Sequence, residues 1–203
     1  MKYAIFGGSF NPIHNGHIII VQKMLDYIGD LKRLFIIPAG CSPFKRTMED
    51  QAPFEYRYKW CSSIFATIDG IDTLDIERED AMDNPSYTYQ TIQRFYKQFH
   101  EYPILILGED SLASFHKWKH YERILERCEL AVFQRRGYSG KINIDNRYLE
   151  KVTVYDTPYL EISSTEIRKR ISKNKSIKGY VPETLEREII EQFKKLSDMN
   201  AKS

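Results

Sequence analysis

Short apolar runs alternate along the chain with longer segments in which apolar residues recur every three or four positions, a pattern that predicts strands separated by helices. The runs are Tyr3-Ala4-Ile5-Phe6, Leu34-Phe35-Ile36-Ile37, Pro103-Ile104-Leu105-Ile106-Leu107 and Leu130-Ala131-Val132-Phe133-Gln134. Thr73-Leu74-Asp75-Ile76 and Val152-Thr153-Val154-Tyr155 mark two weaker strands. Between them, Ile18, Val21, Leu25 and Ile28 describe a first helix starting near Asn15, a favoured N-cap residue. Phe54, Tyr58, Cys61, Ile64, Phe65 and Ile68 describe a second, over 53–68. Asn84-Pro85-Ser86-Tyr87-Thr88 opens a third that runs to about Phe99.

Further on, Glu122 to Glu126 finishes a helix, Lys141 to Glu150 reads as a short exposed one, and Ser163 or Ser164 caps another. Leu185, Ile189, Ile190 and Phe193 give an amphipathic terminal helix over Glu183 to Leu196. The fold class expected is α/β: a Rossmann-like, doubly wound, mainly parallel sheet with flanking helices and a C-terminal helical element. Residues 1–196 are read as a single domain with the terminal helices 164–196 packed on it, and 197–203 as a polar tail that frays. Ligands in such sheets bind beyond the carboxyl ends of the strands, so Gly7 and Ala39 should share a rim.

Composition narrows the class. Thirty basic against 28 acidic side chains in 203 residues give +2, too even a balance for a general nucleic-acid or membrane surface. Three scattered cysteines, Cys41, Cys61 and Cys128, odd in number, argue against a disulfide framework and make a reducing cytoplasm the expected home. No apolar run reaches the roughly 20 residues of a membrane span, and Met1-Lys2-Tyr3 opens no signal peptide. A soluble protein is expected; whether it forms a homo-oligomer is left open.

Candidate chemistry concentrates at two helix starts. Gly7-Gly8-Ser9-Phe10-Asn11-Pro12-Ile13-His14-Asn15-Gly16-His17 joins the first strand to the first helix. Glycines let backbone approach a phosphate, the first amides of a helix attract anions, and His14 and His17, cationic or neutral, can each donate to a phosphate oxygen. Two plain loop histidines or half a zinc site are the alternatives, although no neighbouring Cys-x-x-Cys supplies further ligands. The second start is Ile162-Ser163-Ser164-Thr165-Glu166-Ile167-Arg168, where amides, hydroxyls and Arg168 one turn on make a similar pocket. Elsewhere, Gly108-Glu109-Asp110 follows a strand, with Asp110 able to accept from ribose hydroxyls or to cap a helix. Lys45 and Arg46 lie in a loop, and Arg135 and Arg136 at a strand end; each could meet phosphate or only solvent.

Gly-Ser-Phe-Asn-Pro-Ile-His-Asn-Gly-His resembles the H-x-G-H signature of the nucleotidyltransferase superfamily, and Ile-Ser-Ser-Thr-x-Ile-Arg its second signature. Pro85-Ser86-Tyr87-Thr88-x-x-Thr91, Gly-x-Asp-Ser-Leu and Phe115-x-x-Trp118 resemble the bacterial nicotinate-nucleotide adenylyltransferases, from Gly7 through Arg168. The resemblance implies transfer of AMP from ATP to nicotinate mononucleotide, giving deamido-NAD and pyrophosphate, with Mg²⁺ carried on the ATP. It implies catalytic roles for His14, His17 and Arg168, and ATP contacts from Gly7, Gly8, Ser9, Phe10, His14, His17, Gly108, Asp110, Ile162, Ser163, Ser164, Thr165 and Arg168. It assigns the mononucleotide to Lys45, Thr88, the amide of Tyr89, Asp110, Trp118 and Arg135. The chain departs from the family at Phe44, where relatives carry histidine, and at Lys119, where tyrosine is frequent. Another phosphate acceptor within the superfamily, or a non-catalytic nucleotide-binding protein, are the competing readings.

Overall fold

A computed structural model describes residues 2–41, 51–81, 85–135, 144–157 and 161–200, the side chain of Arg135 excepted. The strands β1 (Lys2–Gly8), β2 (Leu31–Pro38), β3 (Ile71–Thr73), β4 (Ile104–Gly108), β5 (Leu130–Arg135) and β6 (Val152–Thr157) form one sheet. Their order is β3-β2-β1-β4-β5-β6 and every neighbouring pair is parallel. The helices are α1 (Asn15–Tyr27), α2 (Phe54–Phe65), α3 (Thr88–Phe99), α4 (Glu109–Ala113), α5 (Tyr121–Arg127), α6 (Ser164–Ser172) and α7 (Glu183–Asn200).

Strand side chains point alternately to opposite faces, and here both faces are covered. Ala4, Leu34, Ile36, Ile106, Ala131 and Phe133 meet apolar residues of α1, α2, α6 and α7. Their sequence neighbours Ile5, Phe35, Ile37, Leu105, Leu107 and Val132 meet those of α3, α4 and α5. This is the doubly wound arrangement expected from the apolar runs. Chain direction across the sheet reverses between β1 and β4, so the strand ends Gly8, Pro38 and Gly108 surround the crevice where such folds bind ligands. Ala39 donates to the Gly8 carbonyl at 2.8 Å, which places both on the expected rim.

Several boundaries differ from the sequence reading. The third strand is Ile71–Thr73, flanked by one further bond on each side, Leu34 N–H to the Gly70 carbonyl and Leu74 N–H to the Ile36 carbonyl, both 2.9 Å. The buried residues of α2 are Phe54, Arg57, Trp60, Cys61 and Phe65, so an arginine replaces Tyr58 on the stripe. Two helices, α4 and α5, occupy the stretch read as one ending at Glu126. The exposed segment before β6 is a 3-10 helix over Asn146–Lys151. Helix α7 runs to Asn200, so residues 197–200 are helical rather than frayed. Among the described residues no helix is long and apolar enough to cross a membrane. All three cysteines are free, and burial raises the thiol pKa of Cys61 and of Cys128, the latter to about 12.

Candidate active site

His14 is extended (φ −149°, ψ 167°) and occupies the N-cap position of α1 expected of Asn15. Asn15 is used otherwise: its side-chain amide donates to the carbonyls of Gly179 (2.9 Å) and Val181 (3.4 Å), and its backbone N–H to that of Tyr180 (2.8 Å). The start of α1 is thereby fastened to the turn that precedes α7. The His14 backbone N–H donates to Nδ1 of His17 at 3.2 Å, and the two imidazoles stack with centroids 3.6 Å apart and planes 23° from parallel. An accepting Nδ1 leaves the proton of the neutral His17 ring on Nε2, which is therefore a donor. A Cβ on Gly16 would lie 3.0 Å from His14 Nδ1, so glycine is what lets that ring lie against the helix.

Both rings are neutral at pH 7. Burial lowers the pKa of His14 from 6.5 to about 4, and burial, followed by the repulsion between the two rings once His14 is protonated, lowers that of His17 well below its ordinary value. Each pKa is lower folded than unfolded, so the unfolded chain binds more protons and stability falls as pH drops from 6.5 towards 4. For His14 alone, going from pH 7 to pH 5 is expected to cost about 2 kcal/mol of unfolding free energy. Urea unfolding at the two pH values checks this, with His14→Asn expected to shed that increment. An equal acid loss in protein and variant would mean His14 is not held neutral.

The second helix start is joined to the first. Ser163 caps α6, its Oγ accepting from the Glu166 N–H at 3.2 Å. Ser164 Oγ donates to the Pro12 carbonyl at 2.9 Å, and Arg168 Nη1 to the Asn11 carbonyl at 2.8 Å. Ile162 lies beside α1, its Cβ 3.7 Å from where a Gly16 Cβ would be. The start of α6 is thus fastened to the loop that leads into the imidazole pair, although about 150 residues of sequence separate them. The Ser164 hydroxyl proton is engaged by Pro12, so what this residue can offer a phosphate is its first-turn amide.

A cavity of about 560 Å³ opens at the end of β1, lined by Gly7, Gly8 and Ser9 and by Tyr87, Thr88, Trp118 and Lys119. Helix α3 meets it end-on. Its N-cap is Tyr87, which supplies no side-chain cap. The Gln90 and Thr91 amides bond to the Tyr87 carbonyl (2.8 and 3.1 Å), leaving those of Thr88 and Tyr89 without helical acceptors. Trp118 contributes a half-buried indole, 5.0 Å from the Phe115 ring.

Other expected site residues lie differently. The Phe10 side chain is buried under His17, with ring centroids 4.9 Å apart, so only its backbone can meet a ligand. The Tyr89 ring also faces inward, towards His120 at 5.0 Å, which leaves its amide as the ligand group. Gly108 caps α4, and Asp110 is exposed on that helix and does not line the cavity, whereas Ser111 does. Phe44, Lys45, Arg46, Arg136 and the side chain of Arg135 lie outside the described residues.

The sequence reading missed Arg57 and Glu77. Arg57 is fully buried and donates to four carbonyls, those of Ala52 (2.9 Å), Ser9 (2.9 Å), Ala39 (2.6 Å) and Gly40 (3.2 Å). Glu77, also buried, accepts from the Gly40 N–H at 3.1 Å and from the Thr91 hydroxyl. Between them they fix the rim after β2 from both sides. Gly40 has no room for a side chain, since a Cβ would stand 2.4 Å from the Glu77 carbonyl oxygen.

A parallel sheet ordered 3-2-1-4-5-6 with two coupled helix starts on its rim defines a nucleotide-binding α/β protein. A family model described as Cytidylyltransferase-like matches residues 5–170. Relatives named probable nicotinate-nucleotide adenylyltransferase include one from Thermotoga petrophila, 37% identical over 193 residues (93% of this chain, 94% of the relative). One from Clostridium tetani is 35% identical over 189 residues, covering 90% and 92% of the two chains. The fold is that of the Plasmodium falciparum nicotinic acid mononucleotide adenylyltransferase complexed with NaAD, with TM-score 0.71, 21% identity and coverage of 95% and 94%. The chain belongs to the nicotinate-nucleotide adenylyltransferase family, within the cytidylyltransferase-like proteins.

Proposed function

We propose that this protein transfers the adenylyl group of ATP to nicotinate mononucleotide, releasing pyrophosphate and forming deamido-NAD. The observation that carries the reading is the pair of bonds from Ser164 and Arg168 to the Pro12 and Asn11 carbonyls. They fasten two anion-attracting helix starts together, and the loop after β1 that joins them also lines a cavity with room for a second substrate.

In this reading a phosphate oxygen of the mononucleotide attacks the α-phosphorus of ATP, one P–O bond forms, and the bond to the departing pyrophosphate breaks. The attacking phosphate is already ionised, so the protein need supply neither a nucleophile nor a general base. Its task is alignment and offsetting the charge that grows on the transferred group. The imidazoles of His14 and His17, held neutral, act as donors, and Arg168 acts as the fixed cation. Backbone of Gly7, Gly8, Ser9 and Phe10, the rim at Gly108, and Ile162 to Thr165 hold ATP. Thr88 and the Tyr89 amide receive the pyridine carboxylate and Trp118 stacks on its ring, with Lys45 and Arg135 reaching the remainder of the mononucleotide.

Among the described residues no three His, Cys, Asp or Glu side chains cluster to cage a metal. A Mg²⁺ held chiefly by phosphate oxygens and water suits that donor set, and it would supply charge neutralisation on the triphosphate. Pyrophosphate release tests the function. ATP with nicotinate mononucleotide is expected to react faster than ATP with nicotinamide mononucleotide, phosphopantetheine or glycerol phosphate. A faster reaction with either of the last two would assign another acceptor, and equal rates with both mononucleotides would remove the carboxylate argument.

A further inference from the structure

Lys119 follows Trp118 in the wall of the cavity, and its Nζ stands 4.3 Å from the centroid of the Tyr87 ring, the N-cap residue of α3. Among the described residues no carboxylate pairs with it. Glu77 lines the same cavity, but both of its oxygens are engaged, one by the Gly40 amide and the other by the Thr91 hydroxyl. The ammonium is therefore held only by an aromatic face at an exposed position, a weak attachment that a carboxylate with good geometry would displace. Its four-carbon stem is flexible enough to make that exchange.

We propose that Lys119 is a specificity-determining residue, whose ammonium pairs with the acidic group on the acceptor's ring beside the free amides of Thr88 and Tyr89. This rests on the acceptor reading above. The α3 start contributes only partial charges to an anion, while Lys119 adds a whole one on the same side of the cavity. An uncharged carboxamide gains nothing from that charge, so the lysine widens the gap between acid and amide.

Lys119→Met keeps the stem and removes the charge. It is expected to raise KM for nicotinate mononucleotide about tenfold, with kcat and the KM values for ATP and nicotinamide mononucleotide little changed. The preference for the acid would fall by the same factor, which corresponds to ~1.4 kcal/mol. Lys119→Arg should retain most of the preference. Lys97→Met, which removes an exposed lysine from the far end of α3, should retain it as well.

If the unaltered protein prefers the acid and Lys119→Met keeps that preference in full, the lysine's role is overturned and the acceptor reading stands. An equal rise in KM for both mononucleotides would assign the ammonium to their shared phosphate and overturn it too. If the unaltered protein adenylylates neither mononucleotide, the acceptor reading itself fails and the proposal goes with it. Because Lys119 is exposed, the melting temperature should not move, and unchanged thermal unfolding separates lost recognition from lost fold.

Discussion

His17→Ala is expected to lower kcat for pyrophosphate release by about 10²–10³, with KM for both substrates changing far less. That magnitude is what one preorganised donor aimed at developing charge typically supplies, roughly 3 to 4 kcal/mol. Preorganisation here is visible in the contacts. The His14 amide occupies Nδ1 of His17 and fixes its tautomer, the His14 ring covers one side at 3.6 Å, and Phe10 meets it edge-on at 4.9 Å. The ring therefore has little freedom to lose when the transition state forms. Truncation also removes packing against Phe10, so the comparison needs a variant that retains a neutral donor. His17→Gln, whose amide can donate, is expected to recover part of the lost turnover where alanine does not. Equal activity in the protein and His17→Ala, measured under saturating substrates, would displace this imidazole from the mechanism.

How far the sequence reveals this site depends on how local each feature is. Apolar runs such as Leu34 to Ile37 and Ile104 to Leu107 mark their strands because a sheet covered on both faces needs neither alternation nor distant information. The third strand shifts because only three residues pair, and the apolar Leu74 and Ile76 that suggested it lie just past the pairing. The helix start at Ser163 is read from hydroxyl chemistry that acts within one turn, and the capping bond to Glu166 follows. Asn15 looks like a cap for the same local reason. It fails because the Gly179 to Val181 turn, distant in sequence, takes its side chain first. The union of the two cradles through Pro12 and Asn11 has no local signature either, being a contact between carbonyls and side chains from opposite ends of the chain.

Arg57 is the hardest case and leads to the second large effect: Arg57→Met is expected to destabilise the protein by about 4 kcal/mol. In sequence Arg57 stands three residues after Phe54 and four before Cys61, which is on the buried stripe of α2, yet a charged residue there reads as an interruption. Its solution is to donate to four main-chain carbonyls that the sheet leaves unpaired. Burial lowers the guanidinium pKa to about 10, opposed by the nearby Cys61, Glu77 and Cys41, so the charge persists at pH 7. Methionine matches the stem but abandons the carbonyls of Ser9, Ala39, Gly40 and Ala52, each buried polar group left unpaired costing roughly 1–3 kcal/mol. Those losses overlap, since the freed loops can relax together, which is why the sum is not expected. Lysine keeps the charge but cannot reproduce a planar fork that reaches several loops at once, so Arg57→Lys should also be destabilised. Denaturant unfolding measures both, and an unchanged midpoint for Arg57→Met would show that the four bonds are replaceable. Because Ser9 and Ala39 border the cavity, the Arg57→Lys protein that remains folded should bind both substrates more weakly while Cys61, beside Arg57, stays protected from thiol reagents.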